Sequence, residues 1–472
     1  MKLSVLIVAI LCCVTALAEE PVPVPTPVPA DAEIQRILIE RLGDRADRVA
    51  IVVGIIEPAG RRVVSHGRRD RNDQRDVNRD TVFEIGSITK VFTSLLLADM
   101  VRRGTVALTD PVAKYLPSDV KMPERGGRTI TLEDLARHRS GLPPMPTNLA
   151  EGGDLKDAYA GYSVKQLYEY LSGCQLPREG VAEFAYSNLG AGLLGHALAL
   201  AAGDSYETLV RTRISEPLRM GSTAITLSPD LRSRLAAGHD VYLKPTASWT
   251  IPTLAGAGAL HSTVTDLLSF LAVQLGYQAC DLGPAITATQ VDRRPAVAGM
   301  EIGLGWLMKP NKGSEIIWHN GGTNGYRAFI GFDPQARTGV VVLSNMVTPG
   351  GVDDLGFHLL DPDLPLLPPD SPLLQPPRGR TEITLDAEIL DGYVGDYEFA
   401  PGVLMSITRA GGQLYARITG QPRIEVFAES ERQFFFKAVD AHITFETDGQ
   451  PPTRALLFRQ GDQEHRATRV AR

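Results

Sequence analysis

The spacing of apolar residues changes several times along the chain, and each change marks an element. From Ala32 to Leu42, Ile34, Ile37, Leu38 and Leu42 recur at three- and four-residue steps, which predicts an amphipathic helix. Val49 to Ile56 is a nearly unbroken apolar run. It meets a turn at Glu57-Pro58-Ala59-Gly60 and returns over Arg61 to His66, so a buried strand and its hairpin partner are expected. Phe83-Glu84-Ile85 reads as extended, Gly86 as a hinge. Behind it Ile88, Val91, Phe92, Leu95, Leu96 and Met100 follow helical spacing until Gly104. Val106 to Val112 is a turn into a short helix, and Thr131-Leu132-Glu133-Asp134 is a capping box that opens another. Apolar, Gly/Ala-rich helices are predicted over 191–202 and around 263–275. Gly256-Ala257-Gly258-Ala259-Leu260 between them implies close backbone approach at a pocket wall.

Strand character returns at Ile316 to His319, which runs into the glycine-rich corner Gly321 to Tyr326. Ala328 to Phe332 and Gly339 to Leu343 add two strands about the Asp333-Pro334 turn. Strands first, helices in the middle and strands again predict an α+β fold. One antiparallel sheet is built from both ends of the domain, flanked by helices, with an all-helical insertion. Seven prolines between Asp361 and Arg378 read as a linker. Beyond it, short segments at 393–397, 404–407, 413–416, 434–437 and 443–446 predict a small all-β barrel or sandwich. The expected division is a leader over 1–18, a proline-rich spacer over 19–30, the α+β domain over 31–360, a linker over 361–380 and a C-terminal β-domain over 381–472.

Bulk properties narrow the function. The 472 residues suffice for two or three domains with real cores, and 43% hydrophobic with 22% charged residues is ordinary for a globular chain. A net charge of −7 argues against nucleic acid as a partner. The one charge cluster, Arg68 to Arg79, alternates Arg with Asp and reads as a solvated loop or hairpin edge. Lys2, an apolar run from Leu3 to Leu17 and Ala16-Leu17-Ala18 have the form of a cleavable secretory signal, which places the protein in the periplasm or outside the cell. The run is short for a membrane span, which takes about 20 residues, so no stable span is expected after cleavage. An uncleaved anchor is the alternative. A lipoprotein is disfavoured because no small residue immediately precedes Cys12 or Cys13. Cys174 and Cys280 are either two buried thiols, the preferred reading, or a disulfide. No Cys/His spacing suits a metal, and no cofactor is expected. The oligomeric state is open.

The candidate chemistry centres on Ser87 and Lys90, which share one helix face a turn apart. A lysine whose pKa is lowered by desolvation can take the proton of a neighbouring serine, and the helix N-terminus favours developing negative charge. Read alone, the same spacing is equally a helix cap with an exposed lysine. Ser118 and Lys121 repeat it between Pro117 and Pro123 with no apolar helix behind them. Tyr186-Ser187-Asn188 sets a phenol, a helix-capping hydroxyl and an amide side by side. His319-Asn320-Gly321-Gly322 forms the strand end and corner. His138, in the His138-Arg139-Ser140-Gly141-Leu142-Pro143 loop, is read as a helix C-terminal residue interacting with the dipole rather than as catalytic.

Taken together and in that order, Ser87-x-x-Lys90, Tyr186-Ser187-Asn188 and His319-Asn320-Gly321 resemble the serine hydrolase family of class C β-lactamases, D-alanyl-D-alanine carboxypeptidases and related esterases. Leu108-Thr109-Asp110-Pro111 and Leu132 to Leu142 fit the same family, and the likeness runs over roughly residues 31 to 350. The tail, from Thr419-Gly420-Gln421-Pro422 to Phe434-Phe435-Phe436, resembles the β-domain often appended to such hydrolases. The resemblance implies a β-lactamase/transpeptidase-like fold and an acyl-enzyme on Ser87. Lys90 and Tyr186 would handle its proton and Tyr186 would activate the deacylating water. Asn188 would hold the substrate amide. The Ser87 and Gly322 N–H groups would form the oxyanion hole, with His319, Asn320 and Gly321 on the substrate side. The third motif departs from the family's usual Lys-Thr/Ser-Gly: a neutral His319 attracts a substrate carboxylate weakly, and Asn320 replaces the hydroxyl. The expected function is therefore a D-amino-acid peptidase of carboxypeptidase type. A carboxylesterase, a weak β-lactamase and an inactive binding protein are the alternatives, and the partners are a small peptide, β-lactam or ester. Arg327 is read as a solvent-facing strand-edge residue, with replacement of the lost positive charge as the alternative.

Overall fold

The apolar run after Val49 becomes strand β1 (Ala50–Glu57), buried on both faces. In the computed structural model, Ala50, Val52 and Ile56 join one core, while Ile51, Val53 and Ile55 join a second on the other side of the sheet. A strand covered on both faces cannot alternate apolar with polar residues, which is why it reads as a continuous run. The structure describes residues 28–470 apart from 125, 150–156, 158, 177–182, 376–381, 401–402, 420–422, 437–440, 448–452 and 461–462. The expected leader, most of the spacer, part of the linker and Gly420-Gln421-Pro422 lie outside the described residues.

After β1 come β2 (Gly60–Asp70), β3 (Asp73–Asp76), β4 (Phe83–Glu84), β5 (His261–Ser262), β6 (Arg294–Pro295), β7 (Glu301–Ile302), β8 (Leu307–Asn311), β9 (Ser314–Gly322), β10 (Arg327–Asp333) and β11 (Thr338–Ser344). Nine of them form one antiparallel sheet in the order β3-β2-β1-β11-β10-β9-β8-β7-β6. β1 pairs with β11, Val53 opposite Val342, so the two ends of the domain meet in mid-sheet. β4 and β5 form a separate two-stranded ladder. The Arg/Asp cluster builds the β2–β3 hairpin at the sheet edge, as expected, where charge discourages further strand pairing.

The helices are α1 (Asp31–Leu42), α2 (Thr89–Arg102), α3 (Leu132–Ala136), α4 (Val164–Gly173), α5 (Asn188–Ala202), α6 (Tyr206–Val210), α7 (Pro229–Arg234), α8 (Val264–Gln274), α9 (Gly283–Val291), α10 (Asp353–Leu360) and α11 (Ala387–Tyr393). On one face of the sheet α8 packs so closely that a Cβ at Gly54 would sit 2.3 Å from Val264. α2 belongs to the same core, and α1 and α10 cover the opposite face. The Thr131 capping box forms as read, with Asp134 as its second member. Gly256 fits α5 backbone to backbone: a Cβ there would lie 2.9 Å from the Ala191 carbonyl. The fold is α+β and β-lactamase-like, and it is followed by a closed barrel of eight antiparallel strands between Gly395 and Arg469. The barrel interior is filled by side chains including Tyr397, Met405, Phe434, Ile443, Phe445 and Leu456. Tyr393, read as strand, instead ends α11 and stacks on Phe445 with ring centroids 4.1 Å apart.

The proline-rich stretch has no helix or strand over 361–375, yet it is lashed to the α+β domain. Leu374 is buried, its carbonyl accepts from Arg45 at 2.8 Å, and the Leu373 carbonyl accepts from Gly350 N–H at 2.8 Å. Leu367 N–H donates to Asp354, which also pairs with the buried Arg41 at 2.6 Å. Cys174 and Cys280 are both free thiols. Among the described residues no helix is long and apolar enough to cross a membrane.

Candidate active site

Gly86 has φ +49°, a conformation that glycine adopts without penalty, and it turns the chain from β4 into a short 3₁₀ turn that carries Ser87. α2 continues from Thr89, so Lys90 stands one turn beyond the serine, as the spacing predicts. Lys90 is 2% exposed. Its Nζ lies 2.8 Å from Ser87 Oγ, 2.8 Å from Asn188 Oδ1 and 2.7 Å from the Ala257 carbonyl. All three partners are uncharged, and burial holds the amine well below the usual lysine range. Ser118 and Lys121, the repeat of the same spacing, are both exposed.

Ser187 caps α5 by accepting from Gly190 N–H at 2.9 Å, which leaves Tyr186 just outside the helix and Asn188 as its first residue. Tyr186 comes to Ser87: its phenol is near enough for the serine hydroxyl to act on its pKa, and Lys90 Nζ sits 4.9 Å from the phenol ring centroid. Desolvation raises the phenol above its ordinary range, with the Ser87 hydroxyl opposing. Because 36% of Tyr186 still faces solvent, desolvation acts less on it than on Lys90. The Asn188 amide points its NH₂ toward Met145 Sδ at 3.6 Å, and Tyr159 donates to the same sulfur at 3.2 Å.

The strand end β9 reaches the serine through glycine alone. A Cβ on Gly321 would meet the Ile85 carbonyl at 2.0 Å and Ser87 N at 3.3 Å, and one on Gly86 would meet Gly322 N at 2.7 Å. No larger residue permits this backbone approach. It brings the Gly321-Gly322 backbone against the Ile85–Ser87 turn. Alternation along β9 puts His319 and Gly321 on the Ser87 face and Asn320 on the other. His319 is buried, its centroid 6.3 Å from that of Tyr186. Its Nδ1–H donates to the Asn320 carbonyl at 2.6 Å. Burial, then the nearby Lys90, lower its pKa to about 4, so the ring is neutral and Nε2 carries the lone pair.

Two expectations are corrected here. Asn320 was expected on the substrate side, but its amide donates to Asp353 Oδ2 at 2.5 Å beneath the opposite sheet face. Arg327 is not solvent-facing. It is half-buried and donates to the Thr323 carbonyl at 3.0 Å and the Tyr326 carbonyl at 2.9 Å, bracing the glycine corner from behind.

Three residues near the site carried too weak a signal in sequence. Met145 has no local motif, and the Gly256-Ala257-Gly258 stretch signalled close backbone approach without showing that the Ala257 carbonyl would reach Lys90. Glu84 lies three residues before Ser87 and is only 4% exposed. It accepts from Trp249 N–H at 3.1 Å, with the Ser248 and Thr323 hydroxyls close enough to lower its pKa, so it sits between the 245–250 loop and the glycine corner. Burial, outweighing those partners, raises its pKa to about 7.

This fold, with a serine, a desolvated lysine and a tyrosine converging at the start of a buried helix, defines the β-lactamase/transpeptidase class of serine hydrolases. Residues 36–361 match the Beta-lactamase family, and residues 379–468 match a domain of unknown function, DUF3471. The chain belongs to the β-lactamase family and is a serine hydrolase. It is 31% identical over 368 residues to the D-alanyl-D-alanine-carboxypeptidase/endopeptidase AmpH of Escherichia coli (strain K12), covering 73% of this chain and 91% of that protein. It is 28% identical over 425 residues to Penicillin-binding protein 4* of Bacillus subtilis (strain 168), covering 85% and 90%. Among solved structures, a class C β-lactamase from Rhodobacter sphaeroides superposes with a TM-score of 0.60 at 27% identity, covering 69% of this chain and 97% of that one.

Proposed function

We propose that Ser87 is acylated by a D-amino-acid-containing peptide and that the enzyme acts as a carboxypeptidase-type amide hydrolase. The observation that carries this reading is the contact of Lys90 Nζ with Ser87 Oγ at 2.8 Å inside a buried, uncharged setting. As a neutral amine, Lys90 spends its two N–H groups on Asn188 and Ala257 and keeps a lone pair for the Ser87 proton. Ser87 Oγ attacks the carbonyl carbon. The oxyanion forms between the N–H groups of Ser87 and Gly322, a contribution of about 10²–10³ in rate per donor in comparable sites. Tyr186 gives its phenol proton to the leaving amine, the phenolate so formed takes one from the deacylating water, and Lys90 returns its proton to Ser87 Oγ as the acyl group leaves. Asn188 orients the substrate amide. The N-terminal segment is a secretory leader in this reading, and the enzyme works in the periplasm or outside the cell.

A carboxylesterase is the second reading. It is favoured by His319, whose neutral ring offers an acceptor where a cation would draw a substrate carboxylate. Incubation with a fluorescent penicillin and with a fluorophosphonate should label wild type and not Ser87→Ala. Release of D-alanine from a D-alanyl-D-alanine peptide should exceed hydrolysis of p-nitrophenyl esters. Label that persists on Ser87→Ala would remove Ser87 as the nucleophile, and ester turnover without D-alanine release would favour the esterase.

A further inference from the structure

His138 is not bound to the end of α3 as a cation. It lies two residues past Ala136, is 3% exposed and adopts φ +54°, a left-handed conformation uncommon outside glycine and asparagine. Its side chain and backbone both grip the segment that carries Tyr186. The His138 carbonyl accepts from Ala185 N–H at 2.8 Å, and Nδ1 accepts from Ser187 N–H at 3.2 Å. These bonds flank Tyr186 on either side. The imidazole packs on the Tyr186 ring at a centroid distance of 4.5 Å and meets the edge of Phe184 at 5.8 Å. Nδ1 can accept only when it bears no proton, so the hydrogen of the neutral ring sits on Nε2. Burial, with Lys90 and His319 nearby, keeps the ring in that neutral form.

We propose that His138 is the positioning residue of Tyr186: its Nδ1 acceptor and ring set where the phenol meets Ser87, without touching the reacting atoms itself. The inference rests on Ser87 and Tyr186 doing the chemistry assigned above. A clamp of this kind matters because a displacement of about 1 Å in a catalytic group costs about 10²-fold in rate.

The test compares His138→Asn with His138→Gly in the full chain. Both residues tolerate the left-handed backbone, but only Asn puts an acceptor oxygen near the Nδ1 position. The readouts are the second-order rate of fluorophosphonate labelling and the melting temperature. His138→Gly should label about 10²-fold more slowly than wild type. His138→Asn should recover about tenfold or more of that loss by restoring the acceptor. The proposal is overturned if His138→Gly labels like wild type, if Asn is as slow as Gly, or if label rates track melting temperature alone. Should His138→Gly not fold, His138→Gln replaces it, since its oxygen lies one carbon too far. A wild-type protein that takes no label would instead remove the nucleophile assignment, and this clamp would have no reaction to serve.

Discussion

Replacing Glu84 by Gln should make the protein more resistant to alkaline conditions. Glu84 is buried between β4, the 248–249 backbone and Thr323, and its carboxyl titrates near 7 in the fold against 4.5 as a free side chain. Between those values the folded protein holds a proton that the unfolded chain has released, so stability falls as pH rises through the window. The window spans 2.5 pH (7 − 4.5 = 2.5). At about 1.4 kcal/mol for each pH step, the total loss is about 3 kcal/mol above pH 7. Gln keeps an oxygen for Trp249 N–H and cannot ionise. Calorimetry of both proteins at pH 5 and pH 9 should therefore show the gap in Tm between variant and wild type widening by about 5 °C in favour of the variant. Parallel Tm curves would refute the burial argument, because a carboxyl with an ordinary pKa gives no such divergence.

Gly321→Ala should lower both stability and reactivity. Its Cβ has backbone, not a pliable side chain, 2.0 Å away, so about 1–3 kcal/mol of strain is expected by calorimetry. Fluorophosphonate labelling of Ser87 should slow by about 10²-fold as the strand edge is pushed off the serine turn; unchanged labelling would mean that the two are not in close contact. Asn320→Ala should do the reverse of what a substrate contact predicts. It removes the bond to Asp353, whose buried carboxyl already titrates near 6, and should cost about 1–3 kcal/mol in denaturation. KM for a carboxylate-bearing peptide should change less than about twofold, and a larger rise would return Asn320 to the substrate side.

Much of this architecture was legible because local rules and tertiary packing agree. The helix behind Ser87, the capping box at Thr131 and the two-sided strand β1 each announce themselves through spacing. The Asn320 orientation was in principle readable, since strict alternation along β9 separates it from His319 and Gly321. The resemblance to a family motif drew it to the wrong face. Arg327 and Glu84 were not readable. A charged residue at a strand end looks solvated unless one knows that Thr323 and Tyr326 fold over the first, or that Trp249 closes over the second. His138 failed for a related reason: its partners are 47 to 49 residues away in sequence (185 − 138 and 187 − 138). α11 was missed because its aromatic end, Tyr393, belongs to the barrel core it caps.

The lashed proline-rich stretch shortens the leash between the two folded units. Leu374 is pinned just past the end of α1 through Arg45, and Ile383 N–H is already bonded to Ala428 of the barrel. The two anchors are nine residue-to-residue steps apart (383 − 374 = 9). Even a fully extended chain of that length reaches only about 30 Å. The edge of the barrel that holds Ile383 is therefore kept within about one domain diameter of the anchor at Leu374, so the barrel cannot drift freely from the hydrolase domain.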